Sequence, residues 1–227
     1  NNAINIHLKV YENYPNHPAI AASYINLGNS YRFKGEYDHA IIDYNKALDI
    51  TLKAYNNYPN YPDIANNYNN LGAAYSDKGE PDQAMIQYNL ALGMMLKAYE
   101  SNPHHPEIAN CYNNLGVAYF SKGDYDHAII HHNIALEIML NAYESNPNHP
   151  DIAMSYNNLG AAYSAKGDYD HAIIQYNLAL KIQLKAYENN PNHPNIAMSH
   201  NNLGAAYYDK GDYDQAIRDY DKGIQLN

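Results

Sequence analysis

Between Pro150 and Gly167 the apolar residues fall at Ile152, Tyr156, Leu159, Ala162 and Tyr163. Steps of three and four place them along one side of a helix, so the pattern predicts a first helix from Pro150 to Gly167. Proline suits its opening turn, where a missing N–H leaves no bond unmade, and Asp151 suits the positive end of the helix dipole. Gly167 ends it. Asp168 then offers an N-cap to "YDHAIIQYNLALKIQLKAYE", 20 residues without glycine or proline and again apolar at helical spacing. This stretch predicts a second, longer helix. "NPNHP" follows before the pattern restarts at Pro194.

The pattern is periodic. Gly28, Gly72, Gly116, Gly160 and Gly204 are each 44 residues apart, and separators recur at Pro15/Pro18, Pro59/Pro62, Pro103/Pro106 and Pro191/Pro194. Pro81 stands where the other copies have Tyr37, Tyr125, Tyr169 and Tyr213, which is tolerable only in the first turn of a helix. A fixed period of this size reads as a repeat array and not as ordinary globular domains. The array covers residues 1–227, with a partial helix over 1–14, repeats starting near 18, 62, 106, 150 and 194, and a truncated last repeat. Residues 3–18 align with 47–62, so the sequence starts inside a second helix and stops inside another. Repeat faces left uncapped in this way are expected in a fragment of a longer array, and they allow head-to-tail self-association.

Repeat four carries Tyr156, Leu159-Gly160, Tyr163, Ala172, Tyr176 and Ala179. Tyr24, Leu27-Gly28, Tyr31, Ala40, Tyr44 and Ala47 match them in repeat one; Tyr68, Leu71-Gly72, Tyr75, Ala84, Tyr88 and Ala91 match in repeat two. Repeat three departs at His132, and repeat five at His200 and Gly223. This pattern resembles the tetratricopeptide repeat over essentially the whole chain. That unit is about 34 residues long, so each copy here is longer by about one turn before the first helix and two after the second. Long repeats of this kind are similar to those of kinesin light chains, which also carry "NNL" in the first helix and bind cargo peptides. The resemblance implies an all-α, right-handed superhelical solenoid of antiparallel helix-turn-helix units, with first helices lining a concave groove.

"NNLG" at Asn69, Asn113, Asn157 and Asn201 puts two asparagines inside each first helix, where they are poor helix formers. By the resemblance, Met154, Asn157, Ala161 and Ser164 form the groove stripe of repeat four. An asparagine amide can pair with both the N–H and the C=O of one peptide unit, so a ladder of Asn69, Asn113, Asn157 and Asn201 would hold an extended segment by its backbone. Alternatively, neighbouring repeats satisfy these amides among themselves. The second asparagine of each pair is expected to be structural. The stripe varies, with Ala22, Asn66, Asn110, Met154 and Met198 at one position and Arg32, Ser76, Phe120, Ser164 and Tyr208 at another. Variation favours a receptor, with Asn66, Asn110, Met154, Met198, Phe120 and Tyr208 joining the asparagines in peptide contact. A purely architectural or self-assembling array is the alternative. The stripe's only cation is Arg32, so the carboxylate clamp of chaperone-binding relatives is absent.

Charge narrows the partners. The formal net charge is −10 with only 14 Lys plus Arg, which repels nucleic acid and favours neutral or basic protein segments. The chain has 26 Tyr, 2 Phe and no Trp, so its large rings carry hydroxyls that want partners or water. A single cysteine, no membrane-length apolar run and no signal peptide make the cytoplasm the expected location. His127 and His131 lie one turn apart beside His132, but two imidazoles without a positioned third ligand do not make a closed metal site. His104, His105, His149 and His193 read as solvated loop residues. Cys111 reads as a small buried apolar residue, and the "KGDYD" glycines as helix stops. No catalytic residue, cofactor or metal is expected, and the chain is read as a non-enzyme.

Overall fold

The computed structural model describes residues 2–58 and 60–226; Asn1, Asn227 and the predicted separator Pro59 lie outside the described residues. Eleven helices follow one another, with no strand among the described residues. They are α1 (Asn2–Val10), α2 (Pro18–Phe33), α3 (Tyr37–Ala54), α4 (Pro62–Asp77), α5 (Pro81–Ala98), α6 (Pro106–Ser121), α7 (Tyr125–Ala142), α8 (Pro150–Lys166), α9 (Tyr169–Ala186), α10 (Pro194–Lys210) and α11 (Tyr213–Gln225). Their bounds follow the punctuation. Pro18, Pro62, Pro106, Pro150 and Pro194 open the first helices, and Pro81 opens α5 as the first-turn argument requires. Gly35, Gly79, Gly123, Gly167 and Gly211 end the first helices at φ between +79° and +88°, a region costly for any residue with a Cβ.

Capping differs between repeats. Asp124, Asp168 and Asp212 each accept the N–H three residues on, at 3.3 Å. Glu36 and Glu80 occupy the same place before α3 and α5 without a side-chain cap bond, and their carboxylates pair with Lys34 and Lys78.

The histidines before the prolines correct the sequence reading. His105, His149 and His193, with His17, are N-caps and not solvated loop residues: each Nδ1 accepts the N–H two residues on, at 3.2–3.3 Å. The rings of His17, His149 and His193 also lie flat on Tyr11, Tyr143 and Tyr187, at 3.6–3.7 Å. Tyr61 stacks on Tyr55 in the same way at 4.0 Å. Tyr187 leaves its helix to make this stack, so α9 stops at Ala186 although neither Tyr187 nor Glu188 is a helix breaker. His104 stays in the exposed turn.

Packing is local in sequence, in two compact units of residues 1–103 and 104–227. In the first, α2 packs on α3, α4 on α5, α3 on α4 and α1 on α2. In the second, α6 packs on α7, α8 on α9 and α10 on α11, with α7 joined to α8 and α9 to α10. Ala40, Tyr44, Leu48, Ile64, Leu71 and Ala74 form one core cluster; Ala172, Ile173, Tyr176, Leu180, Ile196, Leu203 and Ala206 form another. The 44-residue glycine column now has a cause. A Cβ on Gly28 would stand 2.6 Å from Tyr44 Cε1, and one on Gly160 would stand 2.7 Å from Tyr176 Cε1. Each glycine is the clearance that lets a buried ring of the second helix lie against the first.

Candidate functional site

Within each unit first helices touch one another, α2 with α4 and α6 with α8. Met154 and Met198 are 48% and 49% exposed on α8 and α10, and Asn66 and Asn110 are exposed at the matching position of α4 and α6. Phe120 and Tyr208, also exposed, lean edge-on against Tyr125 and Tyr213 at 5.5 Å. Arg32 is paired with a neighbouring first helix, its Nε donating to Asp77 Oδ2 at 2.7 Å.

The asparagine pairs divide less simply than a single groove ladder. Asn113 is buried, and its Oδ1 accepts from His132 Nδ1 of its own second helix at 3.1 Å. Asn69 and Asn157 are half-buried. Asn201 is exposed overall, yet its Oδ1 lies where a Cβ on Gly223 would be, so it too approaches the second helix of its own repeat. Asn113 Nδ2 and Asn157 Oδ1 are buried without a hydrogen-bond partner. Among the second asparagines, Asn70 reaches the surface of a cleft of about 340 Å³ between α2 and α4, which Asn66 and Asn67 also line. Sequence reasoning missed Asn67 and read Asn70, as a second asparagine, as structural. The available signal for Asn67 was its place in a column that otherwise reads Ser23, Cys111, Ser155 and Ser199.

Ionisation here follows packing. Burial, with a smaller contribution from His131, pushes the His132 imidazole down from its ordinary 6.5 to about 4. Burial pushes the Tyr176 hydroxyl up to about 12 and raises Tyr88 as well. His200 and Asp219 form a buried pair at 2.8 Å. The ring nitrogens of the other histidine cluster are engaged locally: His127 Nδ1 with the Asp124 carboxylate at 2.8 Å, and His131 Nδ1 with the His127 carbonyl at 2.8 Å. Among the described residues no group of three or more His, Cys, Asp and Glu is arranged to hold a metal. Cys111 is buried, and no described helix is long and apolar enough to cross a membrane.

Sequence patterns of the tetratricopeptide repeat match residues 2–53, 96–141 and 135–185 in one form, 65–94 in a second and 197–227 in a third. No curated protein matches the chain. Among solved structures, BtubC (BKLC) from P. vanneervenii is similar over 99% of this chain and 87% of its own, with a TM-score of 0.81 and 23% identity. The kinesin light chain TPR-like repeats of Podosopora anserina are similar over 92% of this chain and 95% of theirs, at TM-score 0.77 and 22% identity. A Rap protein complexed with Competence and Sporulation Factor is similar over 92% of this chain and 53% of its own, at TM-score 0.69 and 20% identity. At such identities the likeness is one of fold.

Proposed function

Because the chain belongs to the tetratricopeptide repeat family, a family of protein-interaction scaffolds and not generally of enzymes, we propose that its inner face holds extended segments of partner proteins. One observation carries this reading: half-exposed methionines and exposed asparagines occupy the same position of successive first helices, while the buried alanines and glycines around them stay constant. Asn66, Asn110, Met154 and Met198 supply the contacts, joined by Phe120 and Tyr208. Asn69, Asn113, Asn157 and Asn201 divide between gripping the segment's backbone and bracing their own second helix. The net charge of −10 favours neutral or basic segments, and a cytoplasmic location is part of the same proposal. The test is selection of binders from a random peptide library by the intact chain, followed by anisotropy titration. Neutral or basic extended peptides should be recovered, and combining Asn66→Ala, Asn110→Ala, Met154→Ser and Met198→Ser should weaken them about tenfold or more, as losing several contacts worth about 0.5–1.5 kcal/mol each would do. Unchanged affinity, or recovery of acidic peptides only, would refute the reading.

A second reading, head-to-tail self-association, draws on exposed apolar side chains of the outermost helices: Ile6, Leu8 and Val10 on α1, and Ile217 and Ile224 on α11. Sedimentation should show concentration-dependent assembly; a strict monomer at high concentration removes this reading.

A further inference from the structure

The position shared by Ser23, Asn67, Cys111, Ser155 and Ser199 is buried in every repeat, and its usual work is to meet the preceding second helix. Ser23 pairs with His7 at 2.7 Å, and Ser199 donates to Gln183 Oε1 at 2.7 Å. Asn67 makes the corresponding contact with one end of its amide, Nδ2 donating to Thr51 Oγ1 at 3.2 Å and also to the Asp63 carbonyl at 2.8 Å. A serine would suffice for that packing. The amide brings a further atom, Oδ1, which is buried without a hydrogen-bond partner on a side chain only 1% exposed. Asn67 also lines the cleft of about 340 Å³ between α2 and α4. A space near the lower end of ligand-pocket sizes, which start at about 300 Å³, takes one side chain and not a whole folded element.

We propose that this cleft anchors a guanidinium side chain of the partner segment, with Asn67 and Asp63 as the recognising groups; the inference rests on the reading that the inner face holds such a segment. No lysine, arginine or histidine lines the cleft, whereas Asp63 does, with its side chain hydrogen-bonded to Tyr55 of the same lining, in a chain of net charge −10. An unpaired acceptor and an acidic residue lining one cleft select a guest that brings several donors and no acceptor. Guanidinium, with five N–H groups in a planar fork, is that guest. A carboxylate guest would face Asp63 and the Asn67 oxygen, and an apolar guest would leave that oxygen unpaired. The opposite wall, Ala22 and Ile25, suits the aliphatic stem of an arginine.

The full-length chain is titrated with N-acetyl-arginine methylamide, its citrulline analogue and its norleucine analogue, and the side-chain and backbone amides of Asn67 and Asn70 are followed by NMR. The arginine probe should shift them saturably, the neutral citrulline about tenfold more weakly for loss of a charge-assisted hydrogen bond, and norleucine not at all. Asn67→Ser, which installs the residue of repeats one, four and five and so preserves packing, should abolish the response at Asn70 with an unchanged unfolding midpoint. Asp63→Asn should weaken it. Equal responses to the three probes, an unaltered response in Asn67→Ser, or no response because Oδ1 is satisfied by water would each overturn the anchor. The probe is one residue and needs no groove. Failure of the anchor with library peptides still captured rejects the anchor alone; a sound anchor with no peptide captured rejects the broader reading.

Discussion

Two glycines in similar helices make opposite predictions. Replacing glycine by alanine inside an exposed helix ordinarily stabilises it by about 1 kcal/mol. Gly93 in α5 has nothing within 4 Å of an added Cβ, so Gly93→Ala should gain about 0.5–1 kcal/mol. At Gly160 the same methyl would stand 2.7 Å from the buried Tyr176 ring, so Gly160→Ala should lose about 1–3 kcal/mol, overpacking outweighing propensity. Urea unfolding of the two variants reads the sign directly. A second residue-scale prediction concerns acid. His132 takes the place held by Tyr44, Tyr88, Tyr176 and Tyr220, and its imidazole is pushed from 6.5 to about 4 by burial. Between those values the unfolded chain binds the proton and the folded chain does not, so this contribution is complete above about pH 6.5 and is lost as pH falls toward 4. Full loss amounts to about 3 kcal/mol, of which about 2 is lost by pH 5. His132→Tyr should therefore lose about 2 kcal/mol less than the parent chain between pH 7 and pH 5. Equal acid sensitivity in parent and variant would show that His132 is not the group concerned.

Among helices, the caps separate what the sequence discloses from what it hides. Proline and glycine act through their own backbone, so Pro150 and Gly167 could mark the bounds of α8 without knowledge of any neighbour. Histidine is not a favoured N-cap, yet His149 serves as one with its ring held against Tyr143, a partner six residues back that no propensity scale reports. The roles of the asparagine pairs were hidden for a different reason. Adjacent helical residues diverge by about 100°, so the sequence fixes that Asn113 and Asn114 point apart, but not that Asn113 is the one turned to its own second helix and His132. The cleft lining of Asn67 was equally out of reach, because it depends on how α2 lies beside α4. Capping also gives a prediction at this scale. Glu80 precedes α5 without a cap bond, whereas Asp124, Asp168 and Asp212 make one from the same position. Glu80→Asp shortens the side chain to the length that reaches the N–H of residue 83. It gives up the exposed ion pair with Lys78 in exchange. Such solvated pairs contribute little and a good N-cap about 1 kcal/mol, so thermal unfolding should show a small net gain, up to about 1 kcal/mol. A loss would mean that the ion pair outweighs the cap.

For the molecule, each helix within either unit packs on its sequence neighbours in that unit, and stability there is a sum of repeat terms and interface terms. The interfaces are of two strengths. Exposed pairs such as Lys78–Asp38 and Lys166–Asp126, at 2.9 and 2.6 Å, link a first helix to the second helix of the preceding repeat, and being solvated they contribute little. Buried side chains dominate: Ile64, Ile152 and Ile196, at most 1% exposed, open the first helices, and each contributes about 1.5–3 kcal/mol by burial. Removing a terminal repeat therefore deletes one such set together with the interface beneath it. Chains covering residues 18–227, 62–227 and 106–227 should unfold at successively lower urea concentrations, with m-values that fall in proportion to the surface lost. Raising the salt should alter this series little, because screening reaches only the exposed pairs. Midpoints independent of length would mean that stability is concentrated in one core and not distributed along an array, and a strong salt dependence would mean that the surface pairs, not the buried columns, hold successive repeats together.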